Sequence, residues 1–295
     1  METSITSYTG RFAPSPSGHL HFGSLVTALG SYLRAKSQQG KWLVRMEDLD
    51  PPREMQGATK HILQTLEDFG LNWDGEVLYQ SQRHEAYQHL LDAWLSSDQA
   101  YYCSCTRKRI TELGGIYDGY CHHKNVSEKH SAIRLVNTEQ QTLFYDELLG
   151  EIHVPKDFAS EDYILKRRDG LYAYQLAVVA DDAAQGITEV VRGSDLLTSS
   201  MHQHTLFGKL KTQAPKWLHL PLVVSPDGRK LSKQNHAEPL DRMQPKPLLI
   251  KALAVLNQPT SPDLLDFDLE SLLHYAVKHF DMTLIPKSNQ TQRQN

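Results

Sequence analysis

The strongest constraint on the fold lies in the first ninety residues, where short extended segments alternate with segments of helical period. "SYTGRFA" is short and extended in character and runs into the rigid "PSPSG". Phe22, Leu25, Val26, Leu29 and Leu33 then recur at helical spacing, with Gly40 as a stop. "KWLVRMEDLD" reads as an apolar strand whose end carries charge, and residues 53–69 and 81–98 again place apolar side chains at helical period. Strand, helix, strand, helix in this order predicts an α/β fold around a parallel sheet, with residues 1–98 forming the first half of its core.

Between 99 and 160 the pattern changes to short alternating segments such as "SAIRLV" and "TLFYDELLGEIHV", which predict a small insertion rich in β-structure. Longer apolar runs return over 161–236, the second half of the core, and "WLHLPLVVSPDGRKLSK" supplies a buried strand followed by a charged loop. Residues 237–295 contain two helical segments, 245–257 and 268–280, and a polar tail expected to fray.

At 295 residues, 40% hydrophobic and 22% charged, the chain can bury a sizeable core as one large or two ordinary domains. A formal charge of −4 argues against indiscriminate coating of nucleic acid, though not against a local patch. No apolar run approaches the ~20 residues of a membrane span. The opening "METSITSYTG" has neither the charged nor the apolar region of a secretory leader, so a cytoplasmic enzyme with no membrane partner is expected.

The loop after a strand and before a helix lies at the carboxyl edge of a parallel sheet, where ligands bind. "PSPSGHLHFGS" sits there: Gly18 and Gly23 allow close backbone approach, the next helix offers N–H groups to an anion, and His19 and His21 alternate along one face. Its glycine spacing matches neither a P-loop nor a dinucleotide fingerprint. "GRKLSKQN" places Lys230 and Lys233 around a serine in a second loop suited to phosphate. The three cysteines, Cys103, Cys105 and Cys121, are clustered and odd in number, which points to thiol or metal chemistry rather than disulfides. Three thiolates and one more ligand would close a structural zinc site, for which His122 and His123 are the general candidates.

Taken together, "HFGS" and "KLSKQ" resemble the paired HIGH and KMSKS signatures of class I aminoacyl-tRNA synthetases. "RFAPSPSG", "RMEDLDPPRE", "DGLYAYQLAVVADD" and "VVRGSDLL" extend the resemblance, in order and spacing, to the catalytic domain of glutamyl-tRNA synthetases. The resemblance implies a Rossmann-type core and a ligase that uses ATP with Mg²⁺. His21, Lys230 and Lys233 would be its catalytic groups, with His21, Gly23, Ser24 and Lys233 at the ATP. For L-glutamate it implies Arg11, Phe12, Ala13, Pro14, Ser15, Glu47, Tyr174 and Arg192, the arginines meeting two carboxylates and Glu47 the ammonium. Arginine suits the task because its planar fork pairs a carboxylate bidentately and stays charged. The spacing around the cysteines also resembles a branch in which a tyrosine completes the Zn²⁺ site, here Tyr117.

Only about sixty residues follow Lys233, so no full anticodon-reading module is expected after it. That combination resembles the branch that activates glutamate without tRNA and transfers it to queuosine, the modified wobble base of tRNA(Asp), implying that tRNA as partner and a monomeric enzyme. A short synthetase charging a tRNA 3′ end, and a non-catalytic RNA-binding paralogue, are the two alternatives. The presence of His21, Lys233, Arg11 and Arg192 counts against the second.

Overall fold

A computed structural model describes residues 7–139, 141–224 and 238–287, and the backbone of 290–292. The chain opens with β1 (Thr9–Phe12), α1 (Phe22–Ser37), β2 (Lys41–Met46), α2 (Ala58–Asp68), β3 (Leu78–Tyr79) and α3 (His84–Ser96). It continues through β4 (Ala100–Cys103), α4 (Arg107–Glu112), β5 (Ala132–Leu135), β6 (Leu143–Asp146), β7 (Gly150–His153), α5 (Lys156–Ala159) and β8 (Ile164–Lys166). The core resumes with α6 (Tyr174–Ala184), β9 (Glu189–Gly193), α7 (Ser199–Leu210), β10 (Lys216–Leu220) and β11 (Leu222–Val224). Two helices, α8 (Pro245–Val255) and α9 (Leu269–Lys278), and a short β12 (Gln290–Gln292) follow.

Parallel pairing of β1 with β2 and of β2 with β3 makes one half of the core sheet, and β9, β10 and β6 pair in parallel in the other. The halves meet where the Thr188 N–H donates to the Thr9 carbonyl at 2.9 Å, bringing β1 beside β9. Connections run outward from this seam in both directions, so the crevice at the carboxyl ends of β1 and β9 is where an open α/β sheet binds its ligand. The sequence-derived α/β architecture is thus the observed one. No helix among the described residues is long and apolar enough to cross a membrane.

Apolar positions of α1 face the sheet and are buried from Phe22 to Leu33. Gly30 has a steric reason: a Cβ there would lie 2.6 Å from Leu220 Cδ1, so only glycine lets α1 settle this close. The other face of α1 packs on α8 and α9, making the C-terminal helices part of the first hydrophobic core. A second core lies among α3, α6, α7, β5 and β10, and a third, smaller one surrounds Cys103, Tyr117 and Cys121.

The middle of the chain divides by sheet more finely than by sequence. β4, β5 and β8 form a small antiparallel sheet that carries the cysteines. Residues 143–153, which the sequence reading groups with that segment, form the hairpin β6–β7, and β6 joins the core sheet beside β10. Residues 290–292 of the tail, expected to fray, pair in parallel with β11. An edge strand has unpaired backbone groups that any extended segment within reach completes.

Candidate active site

His21 is the N-cap of α1. Its Nδ1 accepts from the Ser24 N–H at 3.2 Å, while Ser24 Oγ receives the His21 N–H at 3.4 Å, a capping box built on an imidazole. With Nδ1 as acceptor, the proton of the neutral ring sits on Nε2, the form that donates to an anion. The preceding turn needs its glycine, since Gly18 takes a φ of 154°. Together with the N-terminal amides of α1, this corner presents donors and positive potential at the carboxyl end of β1.

The corner opens on a cavity of about 520 Å³. Arg11, Phe12, Ala13, Pro14, Ser15, His21, Gly23, Ser24, Glu47, Tyr174 and Arg192 all line it, so every described residue assigned to glutamate or ATP from the sequence faces one space. Lys230 and Lys233 fall in 225–237, outside the described residues.

Its floor is a buried charge network. Asp182 of α6 pairs with Arg11 Nε at 3.0 Å and with Arg45 Nη1 at 2.8 Å. Burial alone would raise the Asp182 carboxyl, but the two guanidiniums hold it below the ordinary range. Glu47, just past β2, has the opposite fate: burial pushes it up to about 7, against the pull of Arg45 and Arg11. Arg45 Nη2 approaches Glu47 Oε1 only to 3.7 Å, and that oxygen has no hydrogen-bond partner among the described residues. An unsatisfied buried acceptor costs ~1–3 kcal/mol, which a bound donor would recover.

Arg192, on β9, is held along one edge. Nε donates to His219 Nε2 at 3.1 Å, Nη2 to Ser200 Oγ at 2.8 Å, and Nη1 lies 3.3 Å from the Tyr174 hydroxyl. Burial, reinforced by nearby Arg11, lowers the Arg192 guanidinium. Two buried cations and one carboxylate with an open oxygen are complementary to a guest carrying two carboxylates and an ammonium.

A second cavity, about 730 Å³, adjoins the first and shares Ser15, Ser17, Glu47 and Tyr174 with it. Arg107 and Arg167 also line it, and Arg167 pairs with Asp50 at 3.2 Å. Sequence reasoning missed Arg45, Asp182, His219 and Asp146, which hold the lining residues from behind. For Arg45, Asp182 and His219 the signal was a charge or imidazole within or ending an apolar run, "WLVRM", "AVVADD" and "WLHL"; Asp146, followed by Glu147, carried none.

At the end of β4, the thiols of Cys103, Cys105 and Cys121 lie within 4.8 Å of one another. The Tyr117 hydroxyl stands 3.5 Å from Cys103 Sγ and accepts from the Cys121 N–H at 2.7 Å. His122 is engaged elsewhere, stacked between Tyr101 and His123, and its Nδ1 is 3.9 Å from Asp162. Burial pushes the Cys105 thiol up to about 11, whereas the Ser104 amide and the Tyr117 hydroxyl bring Cys121 down to about 7 against its own burial. Cys105 Sγ and Cys121 Sγ are 3.5 Å apart, near the roughly 3.8 Å edge of a tetrahedron with ~2.3 Å Zn–S bonds. Three thiols with a phenol at the fourth corner fit a closed metal site.

Residues 8–256 match the family model for the catalytic domain of class I tRNA synthetases (E and Q), and the chain belongs to that family. It is therefore a ligase of the aminoacyl-tRNA synthetase type. A glutamyl-Q tRNA(Asp) synthetase from Shewanella amazonensis is 57% identical over 284 residues, covering 96% of this chain and 96% of that protein. Proteins of the same name from Yersinia pestis (56% over 282 residues, covering 95% and 88%) and Escherichia coli (51% over 288 residues, covering 97% and 93%) are similarly related. Among solved structures, a glutamate tRNA ligase from Elizabethkingia meningosepticum, in complex with its amino acid, shares the fold at a TM-score of 0.80 and 24% identity. That match covers 98% of this chain and 67% of the other.

Proposed function

We propose that this chain activates L-glutamate with Mg²⁺-ATP, without tRNA, and transfers it to queuosine at the wobble position of tRNA(Asp). The observation that carries the amino-acid half is the buried Glu47 oxygen with no hydrogen-bond partner among the described residues, set in a cavity that Arg11 and Arg192 also line. A glutamate ammonium satisfies Glu47, and the arginines take the two carboxylates. Carboxylates are ionised at neutral pH, so attack on the α-phosphorus needs no general base. One C–O–P bond forms, and pyrophosphate leaves with the P–O bond electrons. The enzyme's task is to align the reactants and stabilise charge on the phosphate oxygens, His21 and the α1 amides from one side and Lys230 and Lys233 from the other.

In the second step a hydroxyl of the queuosine ring attacks the acyl carbon, forming an ester and releasing AMP. This acceptor half rests on the names of relatives at 51–57% identity, and on the second cavity, which gives an acceptor room on the far side of Glu47 and Tyr174. Cys103, Cys105, Tyr117 and Cys121 would hold a structural Zn²⁺, which would lower the phenol's pKa enough for it to ligate. The enzyme works as a monomer in the cytoplasm.

The test has two parts. Glutamate-dependent exchange of pyrophosphate into ATP without RNA is expected; no exchange with any amino acid would favour an RNA-binding paralogue. A queuosine-bearing anticodon arm of tRNA(Asp) should then accept glutamate by itself. Attachment only when a 3′-terminal CCA is present would favour the short tRNA-charging enzyme instead.

A further inference from the structure

Three neighbouring strands bring three buried polar side chains into line. The parallel register sets His219 of β10 directly beside Arg192 of β9, and pairs β6 at Asp146 with β10 at Trp217. Asp146 and His219 are both fully buried. Asp146 Oδ2 lies 2.7 Å from His219 Nδ1 and also accepts the His219 backbone N–H at 3.0 Å. Its Oδ1 accepts the N–H groups of Leu148 and Leu149, so the carboxylate is pinned by the hairpin it belongs to.

A carboxylate only accepts, so the proton of the His219 ring must sit on Nδ1, and Nε2 presents a lone pair. Arg192 Nε donates into that lone pair at 3.1 Å, and Ser200 Oγ lies at the same distance from Nε2. Burial, which outweighs the Asp146 hydrogen bond, lowers His219 below its ordinary value and keeps the ring neutral, as an acceptor must be. The opposite tautomer would set an N–H against an N–H.

We propose that Asp146 and His219 are positioning residues for amino-acid recognition: Asp146 selects the His219 tautomer, and His219 fixes the guanidinium edge from which Arg192 meets a substrate carboxylate. The inference rests on reading Arg192 as a carboxylate ligand of glutamate. Neither residue lines the cavity, so both act through Arg192.

The tautomer is testable in the unmodified protein. Imidazole ¹⁵N spectra, with His219 assigned by its loss in His219→Gln, should show Nδ1 protonated and Nε2 bare at neutral pH. An Nε2–H ring, or one protonated on both nitrogens, would overturn the proposal. In pyrophosphate exchange, Asp146→Asn offers an amide N–H to Nδ1 and so inverts the tautomer, while its carbonyl keeps the hairpin bonds and only the His219 backbone N–H loses its acceptor. It should raise the glutamate KM about 10- to 100-fold, the value of a hydrogen bond to a charged group, and leave the ATP KM within about twofold. His219→Phe should behave alike, and His219→Gln, whose carbonyl can take the Arg192 N–H, should recover most of the loss. With normal wild-type exchange, an unchanged glutamate KM in a folded Asp146→Asn protein defeats the proposal alone. Absence of glutamate-dependent exchange in the wild type defeats it together with the reading of the site.

Discussion

The charged cleft and the cysteine knot are both small polar clusters, built in opposite ways. The knot draws Cys103, Cys105, Tyr117 and Cys121 from one short stretch and has only a thin apolar shell of its own. The cleft draws Arg11, Glu47, Asp182 and Arg192 from four distant segments and seats them between two large cores. Donors in the knot converge on one another, a geometry that a metal ion fits. Charges in the cleft balance one another through Asp182 and depend on the whole sheet for their places. A local cluster can therefore lose order without the fold, whereas the cleft network cannot lose a member without disturbing the fold around the cavity.

The largest effect expected from this contrast follows Asp182→Ala. Removing the shared carboxylate leaves Arg11 and Arg45 buried without their partner, a loss of about 3–5 kcal/mol by denaturant unfolding. Wild-type stability in that variant would show the network to be ornamental. Next in size, Lys233→Ala should slow adenylate formation by roughly 10²-fold while leaving the unfolding midpoint in place.

Glu47 gives the third prediction, through pH. Its pKa is raised in the native state, so between the ordinary 4.5 and about 7 the native protein holds a proton that the unfolded chain has released. Stability of the empty enzyme therefore falls as pH rises through that window. Recognition runs the other way, because the ammonium needs the ionised carboxylate. The glutamate KM should drop about tenfold from pH 6 to 8 and lose that slope in Glu47→Gln.

The smallest effect on the fold belongs to the knot. Tyr117→Phe should retain zinc less tightly on elemental analysis; full metal content would assign the fourth corner to another ligand. Stripping the metal with a chelator should speed amide exchange across 103–121 and leave the amides of β1, β2 and α1 protected. Loss of protection in the core strands as well would erase the distinction between the two regions.

The same distinction decides what could be read from the sequence. The knot was legible because its members are close in the chain, and α1 because Phe22, Leu25, Val26, Leu29 and Leu33 repeat at its period. The residues lining the cleft were legible through a resemblance of motifs, and the described ones share the cavity. Arg45, Asp182, Asp146 and His219 were not. Each sits in or beside an apolar run, and its partner is set by tertiary placement, by strand register for Asp146 and His219 and by the packing of α6 on the sheet for Arg45 and Asp182, which composition and spacing do not encode. Fifteen histidines made His219 inconspicuous. The hairpin at 143–153 escaped for a related reason: alternation announces strands but not which sheet they join.

The tight seat of Gly30 against Leu220 reaches further than packing. Gly30 stands nine positions after His21, roughly 13 Å along a stiff rod at 1.5 Å per residue. A side chain there would meet Leu220 Cδ1, so either that leucine turns away or the middle of the rod shifts from the sheet and carries the imidazole at its tip with it. The placement of that imidazole is thus set partly from a spot outside the cavity it lines, and a single methyl group at that spot bears on it.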